Sequence, residues 1–216
     1  KKGYLLSFLP KPFAELSGSG LHINISFKDT QGNNALAGGV AKGALSDLTK
    51  GCIAGLLEHH EALGSIIAPT VNSYERLKPA SMCGYWANWG HDHRAVAVRV
   101  SSEMGAGARI EHRVGDGAAS PYFAVAAVLQ AALLGYENNY SLPDEEKYDG
   151  FEQVSSERHV ADNLADSIDL LEANTALTSA IGEELIANYC AIKRAEAEEL
   201  SEKSSDEVIS YYSFYI

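Results

Sequence analysis

The residues best suited to chemistry stand together in Arg109-Ile110-Glu111-His112-Arg113. With the two-residue period of a strand, Arg109, Glu111 and Arg113 share one face, and Ile110, His112 and Val114 share the other. Two guanidiniums flanking one carboxylate have two readings. One is an ion ladder on a solvated sheet face, which contributes little to stability. The other is a site for an anion and a cation together, in which arginines fork onto phosphate or carboxylate oxygens and the glutamate holds a hard metal. A second polar cluster precedes it. After Ser17-Gly18-Ser19-Gly20 the stretch 21–27 alternates strictly, with Leu21, Ile23, Ile25 and Phe27 on one face and His22, Asn24 and Ser26 on the other. The glycines let a ligand come close to the backbone. His91-Asp92-His93 reads as a turn before a strand rather than a metal clip, because it lacks partners at metal-site spacing.

The background against which these arginines stand is acidic. The 216 residues carry 17 Lys and Arg against 29 Asp and Glu, a formal charge of −12. That balance argues against nucleic acid or an anionic membrane as a partner. No apolar run approaches membrane-spanning length. Cys52, Cys83 and Cys190 are isolated and odd in number, as expected of reduced thiols in a cytoplasmic protein. The chain starts at Lys1 without a signal pattern, so it is expected to be a fragment of a longer protein.

The elements that must position the polar clusters follow from periodicity. Residues 1–16, broken by Pro10 and Pro12, form an extended arm or strand. Asp29 to Asn34 make a turn. Apolar residues at helical spacing predict a helix from about Ala44 to Ala62, capped by Ser46 or Asp47, with His59 and His60 as cations at its end. A loop carrying Arg76 follows, then a strand over Arg94–Val100. Ser120 as N-cap and Pro121 at N1 open an Ala-rich helix to about Gly135, apolar nearly all round and therefore buried. Residues 138–159 are polar and acidic and read as a surface loop with room to move. The rest is helical over Val160–Glu172 and from Leu177 to about Lys203, ending in an aromatic tail at Tyr211–Tyr215 that docks or meets a partner.

The motifs also occur in a telling order: Lys11-Pro12, Gly18-Ser19-Gly20-Leu21-His22, Asn72-Ser73-Tyr74-x-Arg76-Leu77, Trp89-Gly90-x-x-x-Arg94-x-x-x-x-Arg99, Arg109-Ile110-Glu111-x-Arg113 and Asp116-x-Ala118-x-x-Pro121-Tyr122. This series resembles the C-terminal part of the catalytic domain of the glutamine synthetase family, from about residue 6 onward. The resemblance implies an α+β fold, guanidino kinase-like, with an antiparallel sheet, packed helices and a helical C-terminal segment. It implies ATP-dependent joining of glutamate's side-chain carboxylate to ammonia through a γ-glutamyl phosphate, with ATP and Mg²⁺ or Mn²⁺ required. By the same resemblance His22 and Glu111 ligate the metal. Gly18, Arg76, Arg94 and Arg113 hold the amino-acid substrate, and Asn24, Ser26, Arg99 and Arg109 the nucleotide. Arg94 and Arg109 supply catalytic charge.

The departures from the family pattern are equally specific. Ser17 replaces an asparagine, Asn24 a second histidine, and Gly105-Ala106-Gly107 stands where a lysine is expected. Six residues after Arg76, where glutamine-forming members carry a flap glutamate, stands Met82. A thioether neither takes a proton nor attracts ammonium, and Trp86 and Trp89 would make an amine pocket more apolar. A larger alkylamine or polyamine is therefore an alternative to ammonia, and a catalytically silent regulatory homologue is another. The family's small N-terminal domain and upstream metal-binding glutamates lie outside residues 1–216. The family assembles as stacked rings whose neighbouring subunits complete each site, so the chain alone is expected to be inactive.

Overall fold

The computed structural model describes residues 3, 4, 6–38, 43–102 and 105–216. Residues 1, 2 and 5 of the expected N-terminal arm lie outside them. Its described residues form no strand: 6–9 have no regular structure, and 12–16 bend into a turn in which Leu16 N donates to Phe13 O.

Four short strands make one sheet: β1 (Ile23–Ile25), β2 (Trp89–His91), β3 (Val98–Val100) and β4 (Ile110–His112), in the order β1-β4-β3-β2. β1 and β3 both run antiparallel to β4, and β2 adds to β3 in parallel. The sheet is therefore mixed, where the sequence suggested an antiparallel one. Parallel neighbours ordinarily need a long crossover. Here residues 92–97 suffice, because Asp92 takes a left-handed φ of 50° and the chain bends before pairing again. The bend also shortens the strand expected over Arg94–Val100 to Val98–Val100.

Register sets the two faces of the sheet. Asn24 lies opposite Glu111, and Glu111 opposite Arg99, so these three form one row across β1, β4 and β3. The other face is apolar: Ile23, Ile25, Val98, Val100 and Ile110 are buried in the main core. Helices cover that face. α1 (Asp47–Glu58) is capped by the Ser46 side chain, which accepts from Thr49 N, as expected. The single helix predicted to Ala62 is interrupted at His59, whose φ of −98° and ψ of 15° are not helical, and α2 (His60–Ile67) follows. His59 and His60 are therefore buried at a junction, and burial lowers the pKa of both. They act as neutral side chains rather than as cations on a helix end.

α3 (Ser73–Arg76) is one turn that presents Arg76. α4 (Pro121–Glu137) buries one stripe, from Ala124 through Ala127, Val128, Ala131 and Ala132 to Gly135, whereas Tyr122 and Tyr136 are exposed. It is half-buried rather than buried all round. Its crossing with α1 is close because a Cβ on Gly55 would sit 2.1 Å from Ala131 O, so only glycine fits there. Beyond it lie α5 (Leu164–Ala173), α6 (Thr175–Ile181) and α7 (Glu183–Leu200). Gly182, at φ 127°, divides the long helix expected after Leu177. α8 (Ser205–Tyr212) opens with a capping box between Ser204 and Glu207. That places Tyr212 in a small second core with Leu9, Leu200 and Val208.

Residues 138–159 carry no helix or strand but are firmly tied. Glu146 is buried and accepts from Asn88 Nδ2, from Ser155 N and Oγ, and from the amides of Lys147 and Tyr148. Trp89 packs beneath this segment, donating to Pro143 O, and Trp86 packs edge-on against His159. Both tryptophans thus help to anchor segment 138–159. No helix among the described residues is long and apolar enough to cross a membrane.

Candidate active site

The sheet's open face is built around Glu111. The residue is 7 % exposed, a position in which a bare charge would be costly. Arg113, two residues on along β4, ion-pairs with Oε1. Arg99, directly across on β3, donates from Nη1 to Oε2 at 3.0 Å. His22, arriving from β1, brings Nδ1 to 2.9 Å from Oε1. Burial first, then the Arg113 charge, lower the His22 pKa, so the imidazole is neutral. A neutral ring that donates from Nδ1 keeps the Nε2 lone pair for a ligand.

Arg113 is itself almost fully buried. Its Nη2 donates to Arg94 O at 3.0 Å, and its amide to Ala97 O at 2.9 Å. The bent 92–97 loop therefore serves as a socket for this guanidinium. Asp92, whose pKa is lowered by its Ser102 contacts and by Arg99, lies 3.5 Å from Arg99 Nη2.

Arg76 approaches from the opposite side. Its Nη2 donates to the Val114 and Gly115 carbonyls, just past the end of β4. The reason for a glycine at 18 is visible here, since a Cβ would lie 2.5 Å from Pro10 O and 2.7 Å from Arg76 Cγ. Gly20 marks where the groups converge: a Cβ there would be 3.5 Å from Arg76 Nη1 and 3.8 Å from His22 Nε2. Gly18, His22, Arg76, Arg99, Glu111 and Arg113 thus form one continuous cluster.

The remaining expected site residues stand around it. Asn24 is exposed beside Glu111 on β1. Ser26 lines a cavity of about 590 Å³ with Phe27, Lys28, Asn33, Asn34 and Gly105. Arg94 and Arg109 are exposed. Arg109 donates only weakly to Gly107 O, at 3.4 Å, and does not pair with Glu111 as strand alternation suggested. The second guanidinium on Glu111 is instead Arg99, its directly opposite neighbour on β3. His91 and His93 form no metal clip: His91 bonds Glu145 and Gly43 O, and His93 bonds Tyr148 O. Met82 is exposed on a loop whose Ala80 and Gly84 both have positive φ. Gly84 packs close to Ala97, on the Arg113 side of the cluster.

Comparison with known proteins matches residues 1–212 to the family described as glutamine synthetase, catalytic domain. The chain belongs to this family. It is 34% identical to the glutamine synthetase of Clostridium saccharobutylicum over its whole length, which covers 50% of that protein. It is 35% identical to gamma-glutamylethanolamide synthetase GlnA4 of Streptomyces coelicolor, covering 91% of this chain and 41% of that one. Among solved structures, "Apo GmaS without ligand" aligns with a TM-score of 0.81 at 33% identity, over 93% of this chain and 46% of that one. A crystal structure titled "novel glutamine synthase homolog" aligns at 0.82 and 28%, over 96% and 48%. The chain spans about half the length of the curated relatives it matches. The family is one of ATP-dependent ligases, and membership accounts for the α+β fold and the order of motifs.

Imidazole and carboxylate suit Mg²⁺ or Mn²⁺, which the family generally uses. No group of three or more His, Cys, Asp or Glu that could hold a metal occurs among the described residues. His22 and Glu111 fit as two members of a coordination sphere, to be completed by phosphate oxygens, water or other residues. Sequence reasoning did not single out Asp116 and Asn72, although both lie in the ordered motifs. Asp116 is fully buried near Arg76, and burial raises its pKa to about 6.

Proposed function

We propose that this chain carries the phosphate- and carboxylate-handling part of an ATP-dependent γ-glutamyl amide ligase. The observation that carries the reading is the buried Glu111, held jointly by Arg99, Arg113 and His22 within reach of the Gly18–Arg76 pair. A site that transfers a phosphoryl group to a carboxylate must offset charge on both partners by positioning and electrostatics.

Arg76 and Arg113 grip the carboxylates of glutamate, and Gly18, packed on the Arg76 stem, meets the substrate through its backbone. Arg94, Arg99 and Arg109 face the phosphates, with Asn24 and Ser26 toward the nucleotide. His22 and Glu111 would hold the divalent cation, which lowers the charge barrier to phosphoryl transfer. The γ-phosphoryl group passes to glutamate's side-chain carboxylate and ADP leaves. The amine nitrogen then attacks the acyl phosphate carbonyl, the C–O bond to phosphate breaks, and the amine's proton is lost to solvent or a base. Arg94 and Arg109, both exposed and without an ion-pair partner among the described residues, are the guanidiniums with charge to offer at that step.

Ammonia is the nominal amine, and Met82 favours a second reading. An exposed thioether on the loop beside the cluster offers apolar contact to an alkyl chain and no base for ammonium. A relative bearing the name gamma-glutamylethanolamide synthetase makes such a substrate a natural one to test. The experiment is a panel of ammonia, methylamine, ethanolamine and a diamine, assayed with the full-length protein for ATP- and glutamate-dependent phosphate release. Turnover with any amine supports the ligase. Ammonia far ahead in kcat/KM removes the role given to Met82, and no release with any amine overturns the ligase reading.

A further inference from the structure

The Asn72 side chain is almost fully buried and stands at the N-cap of α3, a position where asparagine ordinarily caps the helix. It makes no cap hydrogen bond. Thr70 and Ser73 close that turn instead: Thr70 N donates to Ser73 Oγ, Ser73 N to Thr70 Oγ1, and the two hydroxyls lie 2.8 Å apart. The amide of Asn72 is thereby free to face the N-terminal arm. Lys11 N donates to Asn72 Oδ1 at 2.7 Å, and Asn72 Nδ2 donates to Lys11 O at 2.9 Å. An asparagine amide matches a peptide unit in this way because it offers donor and acceptor side by side.

Both ends of the clamp lead to the same place. Four residues after Asn72, α3 delivers Arg76. On the other side, Pro10 O, next to the clamped Lys11, accepts from Ser19 N at 2.8 Å, and it is one of the atoms a Cβ on Gly18 would strike. The same Gly18 packs on the Arg76 stem. Gly18, the arm and α3 are therefore locked in a closed circuit through one side chain. The 70–72 turn is braced from behind, where Val71 N donates to the Tyr212 hydroxyl at 3.1 Å. We infer that Asn72 is a positioning residue for the amino-acid half of the site, fixing the spacing between Gly18 and the Arg76 guanidinium by clamping Lys11. This rests on the proposed roles of Gly18 and Arg76 in holding glutamate.

The test is steady-state kinetics of the full-length protein with Asn72→Asp, which keeps the acceptor for Lys11 N and loses the donor to Lys11 O. The KM for glutamate is expected to rise about tenfold, the worth of one hydrogen bond to a buried partner, while the KM for ATP stays within about twofold. If Asn72→Asp does not fold, Asn72→Gln keeps both groups on a longer stem and is expected to give a smaller rise in the same KM. An unchanged glutamate KM, with only kcat or melting temperature lowered, makes Asn72 a structural residue and overturns the inference. Arg76→Lys separates the two layers. If it raises the glutamate KM and the Asn72 variants do not, the inference alone falls. If it does not, the reading of the site beneath falls too.

Discussion

Glu111 and Glu146 are buried to the same degree, each 7 % exposed, yet they are satisfied in opposite ways. Glu146 is surrounded by neutral donors close in sequence or fixed in the core: the amides of Lys147, Tyr148 and Ser155, the Ser155 hydroxyl and the Asn88 amide. These hold its pKa low despite burial. Among the described residues Glu111 receives no backbone N–H and is met by Arg99, Arg113 and His22, side chains from three strands or their flanks. A carboxylate wrapped in backbone amides has partners that cannot leave without unfolding the segment. One held by guanidiniums and an imidazole has partners that can turn to another anion or share a cation. The first arrangement builds structure, and the second builds a site.

The contrast can be broken by mutation. Glu146→Ala is expected to destabilise the protein by about 3 kcal/mol, because it strands several donors at once. Denaturant unfolding should show it, with enzymatic KM values unmoved in whatever fraction remains folded. A loss below about 1 kcal/mol would mean that segment 138–159 is held by other contacts.

A second test uses the opposite face of β4. His112 is fully buried with neither ring nitrogen bonded, and burial drives its pKa down to about 3. The unfolded chain takes up the proton near pH 6.5. The stability this neutral ring contributes is therefore present above pH 6.5 and lost between there and about pH 3, at about 1.4 kcal/mol per pH unit. His112→Leu should flatten that part of the stability profile, and an unaltered slope would place the acid sensitivity elsewhere. The smallest stability effect belongs to Arg109→Ala. With its side chain exposed and in no ion pair among the described residues, stability should shift by less than about 0.5 kcal/mol while the KM for ATP rises. An unmoved KM would remove Arg109 from the phosphate-facing set.

Much of this site was legible in the sequence because strand alternation is an almost geometric rule. Arg113 and Glu111 do share a face, with Ile110, His112 and Val114 on the other, and His22 and Asn24 do project from the polar side of β1. The pairing of Arg99 with Glu111 was not legible, since local spacing says nothing about which strands become neighbours or in what register. Helix breaks were equally hidden. The apolar pattern runs straight through His59, where the backbone turns, and the Ala-rich α4 shows its one buried stripe only against the close α1 crossing. Glu146 looked like one acid among many in a polar stretch. Its burial depends on Asn88, 58 residues away, which no local pattern reports.

The most direct measurement is glutamate- and ATP-dependent phosphate release by the full-length protein carrying Glu111→Asp, at a temperature where wild type and variant are both folded. The substitution keeps the charge that neutralises Arg99 and Arg113 but withdraws the carboxylate by one methylene. If Glu111 is the pivot of the reacting site, the rate should fall by about 100-fold or more, as expected when a catalytic group is displaced by about 1 Å. A rate within about threefold of wild type, on the same scale of displacement, would contradict the account and leave the Arg99–Glu111–Arg113 cluster as a structural ion network.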